Sequence, residues 1–165
     1  MSDENLLVPQ TPPMFPPIHR LVPHRDPMVL LDRVLTASAE DLCAEVTIRS
    51  TSQFFEGDGV GAWVGIEYMA QTIAAHAGYL AHSKGEAVKV GFLLGSRRYE
   101  SHTAQFTLGA VLQVKIHRSL QADNGLGAFE CSINDSAAPD LALATATITV
   151  FQPNNVTDFL QGKPM

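Results

Sequence analysis

The stretch Trp63–His82, WVGIEYMAQTIAAHAGYLAH, decides the fold. It is apolar on nearly every side, the pattern of a helix buried on most faces rather than a surface amphipath. A membrane span competes at this length. Glu67, Gln71, His76 and His82 fall inside the stretch with no flanking basic anchors, which argues against a span. The small residues Ala70, Ala74, Ala75, Ala77 and Gly78 would let a curved sheet wrap closely around such a helix. A sheet rolled about one central helix is therefore expected.

The segments on either side supply the sheet. Ala44, Val46 and Ile48 alternate with Cys43, Glu45, Thr47 and Arg49, the period of a half-buried strand. Met28–Val34 reads as a short helix or strand, and Gly57–Gly61 (GDGVG) as a loop. Beyond the helix, Val88–Leu94 is apolar and ends at Gly95, and Leu112, Val114 and Ile116 alternate with Gln113, Lys115 and His117. Asp123-Asn124-Gly125 is a strong hairpin turn, because Asn and Gly tolerate positive φ. Its return strand places Phe129, Cys131 and Ile133 on one face, so Cys131 reads as core. The last strand, Leu141–Phe151, sets Ala142, Ala144, Ala146, Ile148 and Val150 on one side and stops at Pro153-Asn154-Asn155. One helix among mostly antiparallel strands is an α+β domain. The expected layout is a proline-rich arm over 1–17, one domain over 18–153 and a tail over 154–165. The arm holds Pro9, Pro12, Pro13, Pro16 and Pro17, five of the ten prolines.

Composition narrows the function classes. Of the 165 residues 45% are hydrophobic and 17% charged, which excludes a disordered chain. The net charge of −6 makes nucleic acid an improbable partner, since phosphate affinity rests on clustered positive charge. MSDENLLVPQ carries acids where a signal peptide needs Lys or Arg, so a cytoplasmic location is expected, with Cys43 and Cys131 as reduced thiols. There is no G-x-S-x-G nucleophile motif. GVGAWV has valine at the third glycine position of a dinucleotide fingerprint. Six histidines lack metal-ligand spacing, so no metal is expected.

Within the helix, Glu67 is the lone acid. It is either a satisfied buried or interface acid, or a general acid/base in a dry cleft. Gln71, one turn on, can orient Glu67 or bind substrate.

Three motifs carry a family resemblance. LVPHRDPMVLLDRV (Leu21–Val34), FFEG (Phe54–Gly57) followed by GIEYMAQ (Gly65–Gln71), and GFLLGSRRY (Gly91–Tyr99) resemble the FabA/FabZ-type 3-hydroxyacyl-acyl carrier protein dehydratases. GIEYMAQ and GFLLGSRRY are most similar to the dehydratase-like subunits of aryl polyene pathways. The resemblance spans Arg20 to Pro153. It implies a hot-dog fold, usually dimeric with active sites between subunits, and an acyl carrier protein bearing a phosphopantetheine-linked substrate.

In that family the catalytic His directly follows FFxG; this chain has Asp58 there and a shorter loop before Glu67. Glu67 carries over as the family acid and the His role does not. His24 is the replacement expected here, because imidazole suits proton transfer near neutrality; otherwise it only holds the PHR loop. His19 and His102 are weaker candidates, His76 reads as a core or interface residue facing elsewhere, and Asp58 as a second acid. The resemblance also implies backbone N–H groups around Ala62 and Trp63 as an oxyanion site, with Ala62 where the family has glycine. Arg97 and Arg98 are either a solvated strand end or a dock for the carrier protein.

The expected activity is dehydration of a 3-hydroxyacyl thioester to the trans-2-enoyl thioester, with His24 as base and Glu67 as acid. Such a dehydration calls for no cofactor. Two alternatives stand beside it: a hot-dog acyl thioesterase, and a catalytically weak subunit supporting a related dehydratase in a heteromer.

Overall fold

Alternation along the strands translates directly into layers. The computed structural model describes residues 15–89 and 91–163. In chain order it contains β1 Arg33–Ala37, β2 Asp41–Thr47, β3 Phe55–Glu56, β4 Gly59–Gly61, α1 Gly65–Ser83, β5 Phe92–Ser101, β6 Gln105–Thr107, β7 Val111–Gln121, β8 Leu126–Asp135, β9 Ala142–Phe151 and a short α2 Val156–Leu160. Six strands form one antiparallel sheet in the order β1-β2-β7-β8-β9-β5. Pairing register aligns Ala44, Val114, Ile133 and Ala144 in one row across four strands, and Leu42, Ile116, Cys131 and Ala146 in the next. All eight are buried against α1. Each buried Leu, Ile or Val in these rows contributes about 1.5–3 kcal/mol, and the alanines give the helix room to lie close.

The helix starts slightly later than its apolar pattern suggests. A 3-10 turn over Ala62–Val64 precedes α1, which then runs from Gly65 to Ser83. Among the described residues no helix is long and apolar enough to cross a membrane. Both cysteines are free.

Four segments depart from the sequence reading. Residues 28–32 form neither helix nor strand, because the Met28 carbonyl and Leu30 N–H bond to the Gln71 side chain instead of to a backbone ladder. GDGVG is not all loop. Gly57, at φ 64°, and Asp58 make a tight turn, but Gly59–Gly61 is β4, central in a three-stranded sheet β3-β4-β6. A Cβ on Gly59 would sit 2.1 Å from the Phe106 carbonyl oxygen, so glycine serves strand contact here rather than a turn. β5 does not end at Gly95 but continues to Ser101, absorbing bulges between Leu93 and Gly95 and between Arg97 and Glu100. The segment expected as a tail holds α2. Of the proline-rich arm, residues 1–14 lie outside the described residues.

The N-terminal segment closes one face of α1. Ile18, Leu21 and Val22 are buried there, and at Gly78 the helix meets Leu21 so closely that a Cβ would lie 1.9 Å from the Leu21 carbonyl oxygen. Gly78→Ala gains about 1 kcal/mol of helix propensity but forces an overpacked backbone contact costing about 1–3 kcal/mol. The expected outcome is a lower urea midpoint at unchanged m value; a variant as stable as the parent would show that this approach is not tight.

Candidate active site

α1 carries the candidate acid Glu67 and its neighbour Gln71, and the N-terminal segment locks them in place. Gln71 is fully buried. Its Oε1 accepts the Leu30 N–H at 2.9 Å, which fixes the amide orientation and turns Nε2 toward two acceptors. One is the Met28 carbonyl at 2.7 Å and the other is Glu67 Oε1 at 3.0 Å. Both Nε2 hydrogens are thereby committed to protein, and Gln71 does not line the groove beside Glu67, so it orients Glu67 and has no donor left for substrate.

His24 approaches Glu67 from the same segment, with Nε2 3.6 Å from Glu67 Oε1. That is beyond hydrogen-bond length but close enough for both side chains to face one bound group. His24 Nδ1 is buried and has no hydrogen-bond partner among the described residues. A buried N–H left in that state costs about 1–3 kcal/mol.

Both side chains open into a groove of about 430 Å³ that follows α1. Ala70, Ala74, Ala77 and Ala81 form its floor, with Phe129 and Val150 from the sheet opposite. Glu67 to Ala81 spans roughly 20 Å at 1.5 Å per residue. The alanines at this spacing were expected to admit the sheet. Ala75 and Gly78 are indeed buried, but Ala70, Ala74 and Ala77 are half-buried and floor the groove. Their 3-4 spacing is the signal that marks a single helix face. In the single chain the Glu67 side chain is 36% exposed at the groove, so this chain alone does not supply the dry cleft expected for it.

The remaining candidates separate from this pair. Ala62 N–H donates to the Ala104 carbonyl at 3.1 Å, so it is not free to hold an oxyanion. Trp63 is 65% exposed and meets Phe54 edge-on at 5.4 Å, outside the groove lining. Arg97 and Arg98 stand exposed on β5, also outside it. Asp58 is exposed at the β3–β4 turn, and neither His19 nor His102 lines the groove. His76, expected to face elsewhere, is buried yet reaches the groove wall from the flank of the alanine face. Its Nε2 donates to the Ser38 carbonyl at 3.0 Å. Among the described residues no three His, Cys, Asp or Glu converge as metal ligands.

Comparison with known proteins now bears on this geometry. The ApeP-like family model, described as ApeP dehydratase, matches residues 16–161. The chain belongs to the ApeP dehydratase family. No curated protein matches the sequence. Among solved structures, the dehydratase heterocomplex ApeI:P from Xenorhabdus doucetiae is similar at 32% identity and TM-score 0.82, over 90% of this chain and 97% of that one. A hypothetical thioesterase with coenzyme A from Streptococcus pneumoniae TIGR4 is similar at 14% identity and TM-score 0.57, over 73% of this chain and 84% of that one. The E. coli PaaI protein of the phenylacetic acid degradation operon follows at 12% and 0.53, over 72% and 80%. These last two share the fold alone, and the ApeP-family chain is a hot-dog protein.

His76 ties the groove wall to stability. Burial holds its imidazole below the ordinary value of 6.5, with the Ser38 carbonyl opposing in part. In the unfolded chain the ring protonates as pH falls through about 6.5 while the folded ring stays neutral, so folding weakens on acidification from there down to the lower folded value. The ApeP-family chain should therefore lose urea stability below that pH, and His76→Gln should show a shallower loss over the same range. Identical slopes in both proteins would remove His76 from the acid response.

Proposed function

We propose that this dehydratase removes water from 3-hydroxyacyl thioesters carried on an acyl carrier protein, giving trans-2-enoyl thioesters in a polyene-type pathway. The single observation that carries the reading is Glu67, oriented by Gln71 and facing His24, in a groove floored by the alanines of α1. A carboxylate and an imidazole at one carbon chain's entrance suit elimination, which needs a proton removed at C2 and a hydroxyl assisted away at C3. The alanine floor suits an extended acyl chain.

A heteromer with a related hot-dog subunit is the assembly favoured by two observations. The similar ApeI:P structure is a heterocomplex by its own description. Here β5 is the sheet's edge, bonded among the described residues only to β9, and it exposes Leu93 and Leu94 at 46% and 55%. An edge strand that exposes adjacent leucines at one end is normally covered there. Beyond it, the bulge at Arg97–Glu100 sets Arg98 at φ 55° and turns two cations to solvent, neither in an ion pair among the described residues. An acidic carrier protein fits them, and local positive charge offsets the chain's net −6.

The test is purified protein, alone and with a related hot-dog subunit, supplied with carrier-bound 3-hydroxyacyl substrates and read by mass spectrometry. Loss of one water supports the proposal, and release of free acid would replace it with a thioesterase. Glu67→Gln should lower kcat by roughly 10²–10⁴, the worth of one positioned proton-transfer group. Ala74→Leu should lower kcat/KM for long acyl chains by roughly tenfold or more while sparing short ones; equal losses would take the chain out of this groove. Arg97→Glu with Arg98→Glu should raise KM for carrier-bound substrate far more than for a small thioester, less so at high salt. A matching rise on both substrates would contradict a carrier dock.

A further inference from the structure

The different surroundings of the two His24 nitrogens determine which way protons move. The neutral ring holds one proton, on Nδ1 or on Nε2. Nδ1 is enclosed with no partner of either kind among the described residues, so it is unsatisfied whether bare or protonated. Nε2 decides between the two forms, because a proton on it points toward the Glu67 carboxylate, whereas a bare Nε2 would set its lone pair against that charge. The favoured form is proton-free at Nδ1 and protonated at Nε2, the atom that faces Glu67. A base at Nε2 would need that atom bare, hence the proton on Nδ1 before the reaction begins. Accepting a substrate proton would then leave the unsatisfied Nδ1–H in an imidazolium. Glu67 has no such obstacle. Its Oε1 is held by the Gln71 amide, and its Oε2 accepts no hydrogen bond from the described residues.

We propose that Glu67 is the base and that it returns the same proton to the leaving group, while His24 stays neutral and donates from Nε2–H to the thioester carbonyl. This reverses the roles expected from the sequence and rests on the 3-hydroxyacyl thioester reading above. It also supplies the carbonyl donor that Ala62, whose N–H is spent on Ala104, does not. A carboxylate base beside a neutral imidazole electrophile is an established division of labour for protons next to a carbonyl. Glu67 Oε2 takes the C2 proton, and the C2–H electron pair moves onto the carbonyl oxygen, where the His24 N–H stabilises the enolate. The enolate collapses to form the C2=C3 double bond and the C3–O bond breaks. The departing hydroxyl takes the proton from Glu67 and leaves as water. Glu67 is again a carboxylate and His24 is unchanged, so no further reactant is needed.

The experiment is ¹⁵N-edited NMR of the full chain, with the His24 signals assigned by their absence in His24→Ala. The expected result is a neutral ring with bare Nδ1 and protonated Nε2; the opposite tautomer overturns the assignment. Kinetics give an independent readout. His24→Gln keeps an N–H donor near the Nε2 position, so it should retain activity within about tenfold of wild type, whereas His24→Ala should lose roughly 10²–10³, the worth of one oxyanion donor. Equal losses in the two variants would make His24 the base and defeat the proposal. A wild type that forms no enoyl product, alone or with a related subunit, defeats the dehydratase reading itself. An active wild type with its proton on Nδ1 defeats only the division of labour.

Discussion

Three hydrogen bonds from one buried amide hold this site together. Gln71 accepts from Leu30 N–H and donates to the Met28 carbonyl and to Glu67 Oε1. An amide sealed from water must satisfy its polar atoms within the protein or cost the fold their full desolvation. The chain meets that demand by drawing residues 28–30 out of regular structure and against α1. The same segment carries His24, so satisfying Gln71 also brings an imidazole to the carboxylate. Packing reinforces the arrangement two turns further on, where Gly78 lets the Leu21 backbone touch the helix.

Groove and edge strand are two views of one incompleteness. The six-stranded sheet covers most of α1 but leaves the face of Ala70, Ala74, Ala77 and Ala81 lining the groove, and β5 beside it is an edge strand that pairs, among the described residues, with β9. Water in an open groove screens charge and weakens any hydrogen bond aimed at a developing oxyanion. A second subunit on β5 would exclude that water and strengthen both the Glu67 and the His24 interactions. Assembly and catalysis are therefore coupled in the proposed heteromer through solvent as well as through contact.

The sheet was legible in the sequence because its signal is local. Period-two alternation in β2, β7, β8 and β9 predicts which side chains face inward, and the register then places Cys131 between Ile116 and Ala146 as a core residue. Central helix and Asp123–Gly125 turn were equally readable, from an all-apolar run and from residues that accept positive φ. What escaped was set by distant partners. Gly59 looks like loop glycine until β6 arrives to press Phe106 against it. Residues 28–32 carry a strand-like pattern that Gln71, over forty positions away, overrides. Ala62 sits at a helix start, yet the Ala104 carbonyl claims its N–H. Glu67 and Gln71 could be paired from helical spacing alone; the Nδ1 environment of His24 could not.

Asp58 and His24 are linked by the same geometry. The β3–β4 turn is two residues long, and β4 is pinned by Val60, which is buried opposite Phe106. A turn so short and so tightly paired leaves Asp58 at its tip in solvent and keeps every side chain of that loop out of the groove. Whatever acts beside Glu67 must then come from another element. The segment locked by Gln71 is already in contact with that helix face, so His24 reaches Glu67 without any further ordering of the chain. The ring arrives, however, with Nδ1 enclosed and without a hydrogen-bond partner among the described residues, a constraint that a histidine on a solvated loop would escape. In the proposed chemistry the short β3–β4 turn therefore leaves the histidine role to His24, whose two nitrogens then set what it can do.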